Sequence, residues 1–509
     1  MVHAPQRIPT FDSFVLLLYL AGTIGLGLWC MRRSRDSDSF MVARGRLGGW
    51  IVGLSIFGTY VSSISFLAIP GKALVGDWNA FVFSLSLPVA AWLGAAWFVP
   101  FYRRHGHVSA YQHMEDRFGA WARLYMSICF MLLQVARVGS VMFLIAVVMQ
   151  QLLRWDMVTI IVVTGVVTTT YTCIGGLEGV VLTDALQSVV LITGAVLCAI
   201  WIPFGMPDGP GQLFEMAAAA NKFSIGSFGF DPTQPTVWIV MLYALTINLQ
   251  NVAINQSYTQ RYLSAKSERE AKKSVWFGSL LYVPVSACFF FIGTSLWAYY
   301  RSQPDLLTAE LTEEVASGKG DAVLPSFIMS ALPTGVRGVM LAAILAAAMS
   351  TVSSSLNSSA TLTLSDLYRR WIHRDPTERQ AMSVLYGSTV FWGAAGTLLA
   401  LAMIRVKSVL DAWWEMSGVI SGGMLGLFLL GLAGKRVTTG AAMIGVAVGV
   451  VLIGWLTFSP EAGFLPSGLR NPLHSFLTVS LGTLAITLSG FIAAQWLGEP
   501  NDGADDSEM

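Results

Sequence analysis

An all-α integral membrane protein with about thirteen transmembrane helices is the architecture this sequence predicts, on three observations. Of its 509 residues 54% are hydrophobic and only 12% are charged. The mean hydropathy is +0.61, far above that of a soluble chain of this length. Apolar stretches of roughly 18 or more residues, enough to cross a bilayer, recur along nearly the whole chain with short polar loops between them, so they are spans and not one buried core.

In chain order the spans fall near residues 11–31, 47–73, 78–102, 122–153, 157–174, 178–203, 236–263, 274–301, 332–367, 379–404, 407–433, 437–457 and 473–497. Several exceed the crossing length, which implies tilt or kinks. The first has no small-residue cleavage site and runs into an Arg-rich loop, so it reads as a retained helix. The two longest loops, 204–235 and 302–331, can hold short surface helices but no folded module.

The organisation expected is a leading helix and loop (1–46), a five-helix unit (47–203), a loop (204–235), a second five-helix unit (236–433), two trailing helices (434–498) and an acidic tail (499–509). A repeat with an odd number of crossings inserts upside down relative to its copy. Each unit opens on an interrupted helix. The first has Gly58-Thr59-Tyr60-Val61-Ser62-Ser63 in mid-span with Pro70-Gly71 beyond; the second has Asn248, Gln250, Asn251, Asn255 and Gln256. Broken helices free backbone groups near the midplane, where transporters bind their cargo.

Basic residues set the orientation. Arg32, Arg33, Arg35, Arg44, Arg46, Arg103, Arg104, Arg117, Arg123, Arg261, Lys266, Arg269, Lys272, Lys273, Arg369, Arg370, Arg374, Arg379, Lys435 and Arg436 fall to loops of one side, 20 of the 31 Lys and Arg. That side is assigned to the cytoplasm, which puts the N-terminus outside the cell membrane and the acidic tail inside. The five cysteines lack metal or disulfide spacing, and the six histidines avoid the middle of every span. No His-x-x-x-His and no mid-span Ser/His pair occurs, so an intramembrane enzyme is not expected. The short tail leaves no room for a fused signalling domain.

Residues 347–361 place a dense cluster of hydroxyls inside an apolar span. Ser350, Ser353 and Ser354 stand at i, i+3 and i+4 and share a helix face, with Thr351 and the Ala347 carbonyl on the adjoining edge. Neutral oxygens at this density suit a hard alkali cation. Asp184 enters another apolar span, where an acid is expensive and usually functional; the alternative is a solvated cap at the span boundary. Thr351 has an alternative too, a back-bond to the Ala347 carbonyl. Arg137 is an arginine deep inside a span, suited to gripping a carboxylate through two parallel hydrogen bonds or else structurally paired.

The segments Gly-Gly-Leu-Glu-Gly-Val-Val-Leu-Thr-Asp-Ala-Leu-Gln at 175–187 and Ala347 through Tyr368, ending Ser-Asp-Leu-Tyr, resemble the sodium/solute symporter family in order and spacing, over about residues 45–435. The resemblance implies the leucine-transporter-type inverted five-helix repeat and sodium-coupled solute uptake by alternating access. Matched residue by residue, it implies a first sodium site at the Gly58, Val61 and Ala347 carbonyls with the Ser350 and Thr351 hydroxyls. It implies a second at Asp184 with Ser350, Ser353 and Ser354. Within the family, Arg137 together with Ser62-Ser63-Ile64-Ser65 is most similar to the bacterial sialic acid transporters. There the arginine holds the acid group and hydroxyls equivalent to Ser62 and Ser65 assist. Where that subgroup has a Gln, this chain has Ser84, so the sugar end of the pocket is expected to differ; Gln250 and Asn251 are further polar contacts, though Asn251 also suits an interhelical hydrogen bond. The expected partners are therefore Na+, a small organic solute such as a carboxylated sugar, and membrane lipid, with no nucleic acid and a monomeric working unit. A neutral-sugar or monocarboxylate symporter is the alternative.

Overall fold

The computed structural model describes residues 9–31, 36–153, 155–404, 409–432, 437–460 and 466–497. Arg32, Arg33, Arg35, Lys435, Arg436 and the tail 499–509, which carry part of the orientation argument, lie outside the described residues. Among the described residues every regular element is helical, and the one β pairing is an isolated bridge between Leu47 and Ala265.

Among the described residues ten helices are long and apolar enough to cross a membrane, or eleven when the bent pair Gly49–Tyr60 and Ser65–Val75, which meet at 55°, is taken as one span. The expected thirteen exceeds this count for two reasons. Met157–Phe204 runs as one 48-residue element, and the eleventh expected span is met by the 24-residue helix Val409–Leu432, which is not among the ten. A straight 48-residue helix would extend ~72 Å, more than twice the ~30 Å apolar core. It is broken at Gly176, whose φ of 54° and ψ of −159° a side chain would resist, so the element makes two crossings.

Both interrupted helices are broken where the polar residues stand. The first half-helix Gly49–Tyr60 ends at Val61 in extended conformation. The second half-helix Ser63–Val75 starts from Ser62, whose side chain accepts from the Ser65 amide at 3.4 Å. The other pair, Val237–Ile254 and Gln256–Ser264, breaks at extended Asn255. Asn255 accepts from the Ser257 amide at 3.0 Å and donates to Asn251 at 3.2 Å. Short polar side chains win at these points because they replace the backbone partners that a break removes.

The helix Val336–Leu362, which carries the hydroxyl cluster, lies at the centre: 94% of its most apolar window is buried, against 22% for Thr10–Cys30. A buried polar network ties its end to the neighbouring helix Ala120–Leu153: Asp366 accepts from Arg123 at 2.6 Å, Ser109 at 2.7 Å and Ser127 at 2.6 Å. On the same basic face the two broken helices are stapled together. The Leu47 amide donates to the Ser264 carbonyl and the Lys266 amide to the Leu47 carbonyl, both at 2.9 Å. Glu270 accepts from the Gly49 amide at 2.6 Å, placing an anion at a helix N-terminus.

Candidate functional site

Ser350, Thr351, Ser353 and Ser354 are all buried, so each hydroxyl must find a protein partner. Ser350 Oγ donates to the Gly58 carbonyl at 3.2 Å and lies 3.3 Å from the Ala347 carbonyl. Thr351 Oγ1 donates to the Ala347 carbonyl at 3.2 Å. These separations are long for O–H···O bonds, which average about 2.7–2.8 Å. They are close to the ~3.4 Å edge of an octahedron whose oxygens stand ~2.4 Å from a hard cation. The Thr351 back-bond left open by the sequence is present, but it does not account for Ser350 reaching across to another helix. The missing side chain at Gly58 lets the first broken helix pack against Met157–Phe204 beside Asp184, since a Cβ there would lie 2.8 Å from Ser188 Oγ. Val61, three residues on, is the extended residue of the break itself.

Asp184 is completely buried and is not a solvated cap. Ser353 and Ser354 donate to it at 3.4 and 3.2 Å, and Ser55 at 2.8 Å. Its strongest partner was assigned by sequence to a cytoplasmic loop. Arg261 is instead 1% exposed and pairs with Asp184 Oδ2 at 2.7 Å. The guanidinium also donates to Ser55 at 2.8 Å, Ser354 at 2.6 Å and the Ser257 carbonyl at 2.6 Å. Of the second expected ligand set, then, Ser353 and Ser354 meet Asp184 while Ser350 turns to Gly58, and Arg261 and Ser55 join it. Asp184 Oδ1 faces Ser353 and Oδ2 faces the arginine, so the carboxylate has one side directed at each.

Between the broken helices lies a cavity of about 350 Å³ lined by Ser62, Ser65, Ser84, Gln134, Arg137, Gln250, Asn251, Asn255 and Ser286, among others. Its lining extends to Lys72, Val240 and Phe476, toward the face opposite the basic one. Arg137 Nη2 donates to the Thr59 carbonyl at 2.8 Å, and no carboxylate pairs with Arg137 among the described residues. An arginine in a cavity with a single carbonyl partner keeps donors for an anion. Ser84 donates to Ser286 at 2.8 Å, a pairing the sequence did not suggest. Gln250 Oε1 is buried without a partner, and Asn251 spends its own oxygen on Asn255. A guanidinium with hydroxyls and amides around a lining rich in polar side chains suits a small polar solute that carries an acid group.

The sequence pattern of the sodium:solute symporter family matches residues 40–449. A sodium/sialic acid symporter of Aliivibrio fischeri is 32% identical over 496 residues, covering 96% of this chain and 94% of its own length. One of Proteus mirabilis is 32% identical over 499 residues, covering 97% of each chain. A solved Na+-coupled sialic acid symporter, in a substrate-bound outward-open state, superposes with a TM-score of 0.88 at 31% identity, covering 96% of this chain and 98% of that one. Mhp1, a nucleobase-cation symporter, shares the fold at a TM-score of 0.58 and 14% identity, covering 90% of this chain and 94% of its own.

Proposed function

Because this chain belongs to the sodium:solute symporter family, whose members are sodium-coupled transporters and not enzymes, we propose that it moves a carboxylated sugar of the sialic acid type by sodium-coupled alternating access. The observation that carries the reading is Arg137, which faces the cavity with no carboxylate partner among the described residues. Its planar fork matches a carboxylate bidentately. Ser62 and Ser65 stand at the N-terminus of the half-helix Ser63–Val75, where the helix dipole favours the same anion.

In this reading one sodium ion binds the Gly58, Val61 and Ala347 carbonyls and the Ser350 and Thr351 hydroxyls, bracing the first broken helix against Val336–Leu362. A second uses Asp184 with Ser353, Ser354 and Ser350, while Oδ2 also stays with Arg261. Coupling has a short path. Arg137 bonds the Thr59 carbonyl, one residue from the Gly58 carbonyl that receives sodium, so filling the ion site fixes the segment that holds the arginine. That is thermodynamic linkage between the two sites. Each ion supplies ~2.3 kcal/mol per 100 mV of membrane potential and ~1.4 kcal/mol per tenfold gradient.

The working unit in this reading is a monomer in the inner cell membrane, with its basic face and C-terminus cytoplasmic and the cavity open to the outside. The two five-helix units span 47–203 and 236–433, preceded by 1–46, joined through the loop 204–235 and followed by the trailing helices 434–498 and the tail 499–509. The test is uptake into proteoliposomes of labelled sialic acid, glucose and lactate, with and without a sodium gradient. Sodium-dependent uptake of sialic acid supports the proposal. Uptake of glucose or lactate instead, with sialic acid ignored, overturns the substrate assignment.

A further inference from the structure

Residues 205–236 form a strap over the outer face. Its helix Pro210–Ala219 is followed by Asn221 at φ 54°, and the turn closes with Lys222 N donating to the Ala217 carbonyl at 2.9 Å and Asn221 N to the Ala218 carbonyl at 3.0 Å. This is a Schellman ending, in which a left-handed residue redirects the chain, and it aims Lys222 inward. The strap is anchored on both sides of that turn. Leu213 and Ala217 are fully buried and Phe214 stacks on Phe291 at 5.9 Å. Beyond the turn the Ser224 carbonyl accepts from the Trp78 amide at 2.8 Å.

Between the anchors, Lys222 Nζ donates to the carbonyls of Ala73 at 3.2 Å, Leu74 at 2.8 Å and Gly76 at 2.5 Å. These close the outer end of the half-helix Ser63–Val75, and the ammonium also lies 5.0 Å from the Trp297 ring centre. The last turn of a helix exposes carbonyls without intrahelical donors and carries partial negative charge. An ammonium with three donors answers both needs at once.

We propose that Lys222 is a positioning residue of the transport cycle: by capping the outer end of the half-helix Ser63–Val75 it holds the far end of that rod, with Ser62 and Ser65, against the solute. The inference rests on the reading that those serines meet the solute. The half-helix has 13 residues and is a rod of ~20 Å, so a tilt at the cap is felt at the serines. Lys222 also titrates within reach of external pH. Burial pushes its pKa down to about 8, against the raising effect of Asp77. Arg301 sits 5.5 Å from the same Trp297 ring, and Lys72 on the capped half-helix is answered by Asp321. Above that pH the ammonium becomes an amine and the charge on the cap is lost.

The experiment compares wild type, Lys222→Gln and Lys222→Arg in two measurements. In sodium-driven sialic acid uptake, the wild-type KM is expected to rise roughly tenfold, the worth of one charge-assisted bond, as external pH passes about 8, with kcat little changed. Lys222→Gln should show the raised KM at every pH, and Lys222→Arg the low one, both without a pH step. In hydrogen exchange on purified protein without solute, amides of residues 73–78 should exchange faster in Lys222→Gln than in wild type or Lys222→Arg. A Lys222→Gln protein with wild-type KM and pH profile, or with unchanged exchange, overturns the proposal. If Lys222→Gln fails to reach the membrane, Lys222→Arg decides alone, since a persisting wild-type pH step in it is equally fatal. If wild type takes up no sialic acid, the functional reading fails, while the exchange measurement still decides the cap.

Discussion

Replacing Asp184 by Asn tests the buried centre of the molecule. Arg261 is 1% exposed and Asp184 is the one carboxylate it pairs with among the described residues. Its remaining partners are the Ser55 and Ser354 hydroxyls and the Ser257 carbonyl, all neutral. Removing one partner of a buried ion pair leaves an uncompensated charge and costs about 3–5 kcal/mol. Because an Asn oxygen still accepts one bond, the lower end applies, about two decades in the folding equilibrium. Thermal unfolding in detergent should therefore show Asp184→Asn clearly less stable than wild type. The double variant Asp184→Asn/Arg261→Gln should recover most of the loss, because no charge is then left buried. The same double variant reports on the second ion site: with the carboxylate gone, sodium dependence of uptake should change from sigmoidal to hyperbolic. An Asp184→Asn protein as stable as wild type would refute the pairing argument. A restored double variant with unchanged sigmoidal sodium dependence would refute the second sodium site.

Ser350→Ala/Thr351→Ala removes two of the five proposed oxygens of the first sodium site and should raise the sodium requirement for uptake at least roughly tenfold, with sodium titration as the readout and unchanged sodium dependence as the contrary result. Arg137→Lys exchanges a bidentate fork for a point charge and should weaken solute binding by about 1.5–3 kcal/mol, roughly 10- to 150-fold, measured by equilibrium binding; Arg137→Ala should abolish it. Gly278→Ala drives a methyl to within 2.6 Å of the Gly53 carbonyl and 2.7 Å of Ile56 Cγ2. The overpacking should destabilise the protein by about 1–3 kcal/mol, visible as a lower unfolding temperature.

Both helix breaks were legible in the sequence, because Gly58, Ser62, Asn251 and Asn255 are small or polar where lipid-facing residues would be apolar. The helical hydroxyl face at Ser350, Ser353 and Ser354 was legible for the same reason. Arg261 was not. It lies on Gln256–Ser264 at the polar end of the expected span 236–263, where a basic residue reads as belonging to the loop beyond, and its burial comes from Asp184 and Ser354, which are remote in the chain. Which way Ser350 turns was also hidden, since its choice between Gly58 and Asp184 depends on how two helices meet and not on spacing within one. Gly176, whose positive φ divides a long apolar run, falls between the expected spans 157–174 and 178–203.

The bonds joining Leu47 to Ser264 and Lys266, with Glu270 on the Gly49 amide, have a mechanical consequence. The basic-face portions of the two discontinuous helices are yoked, so neither can swing away alone without breaking two main-chain bonds and the Glu270 side-chain contact. In the proposed alternating-access cycle both segments should therefore travel as one body, and a disulfide across positions 47 and 265, which pair in an isolated bridge, should be tolerated throughout.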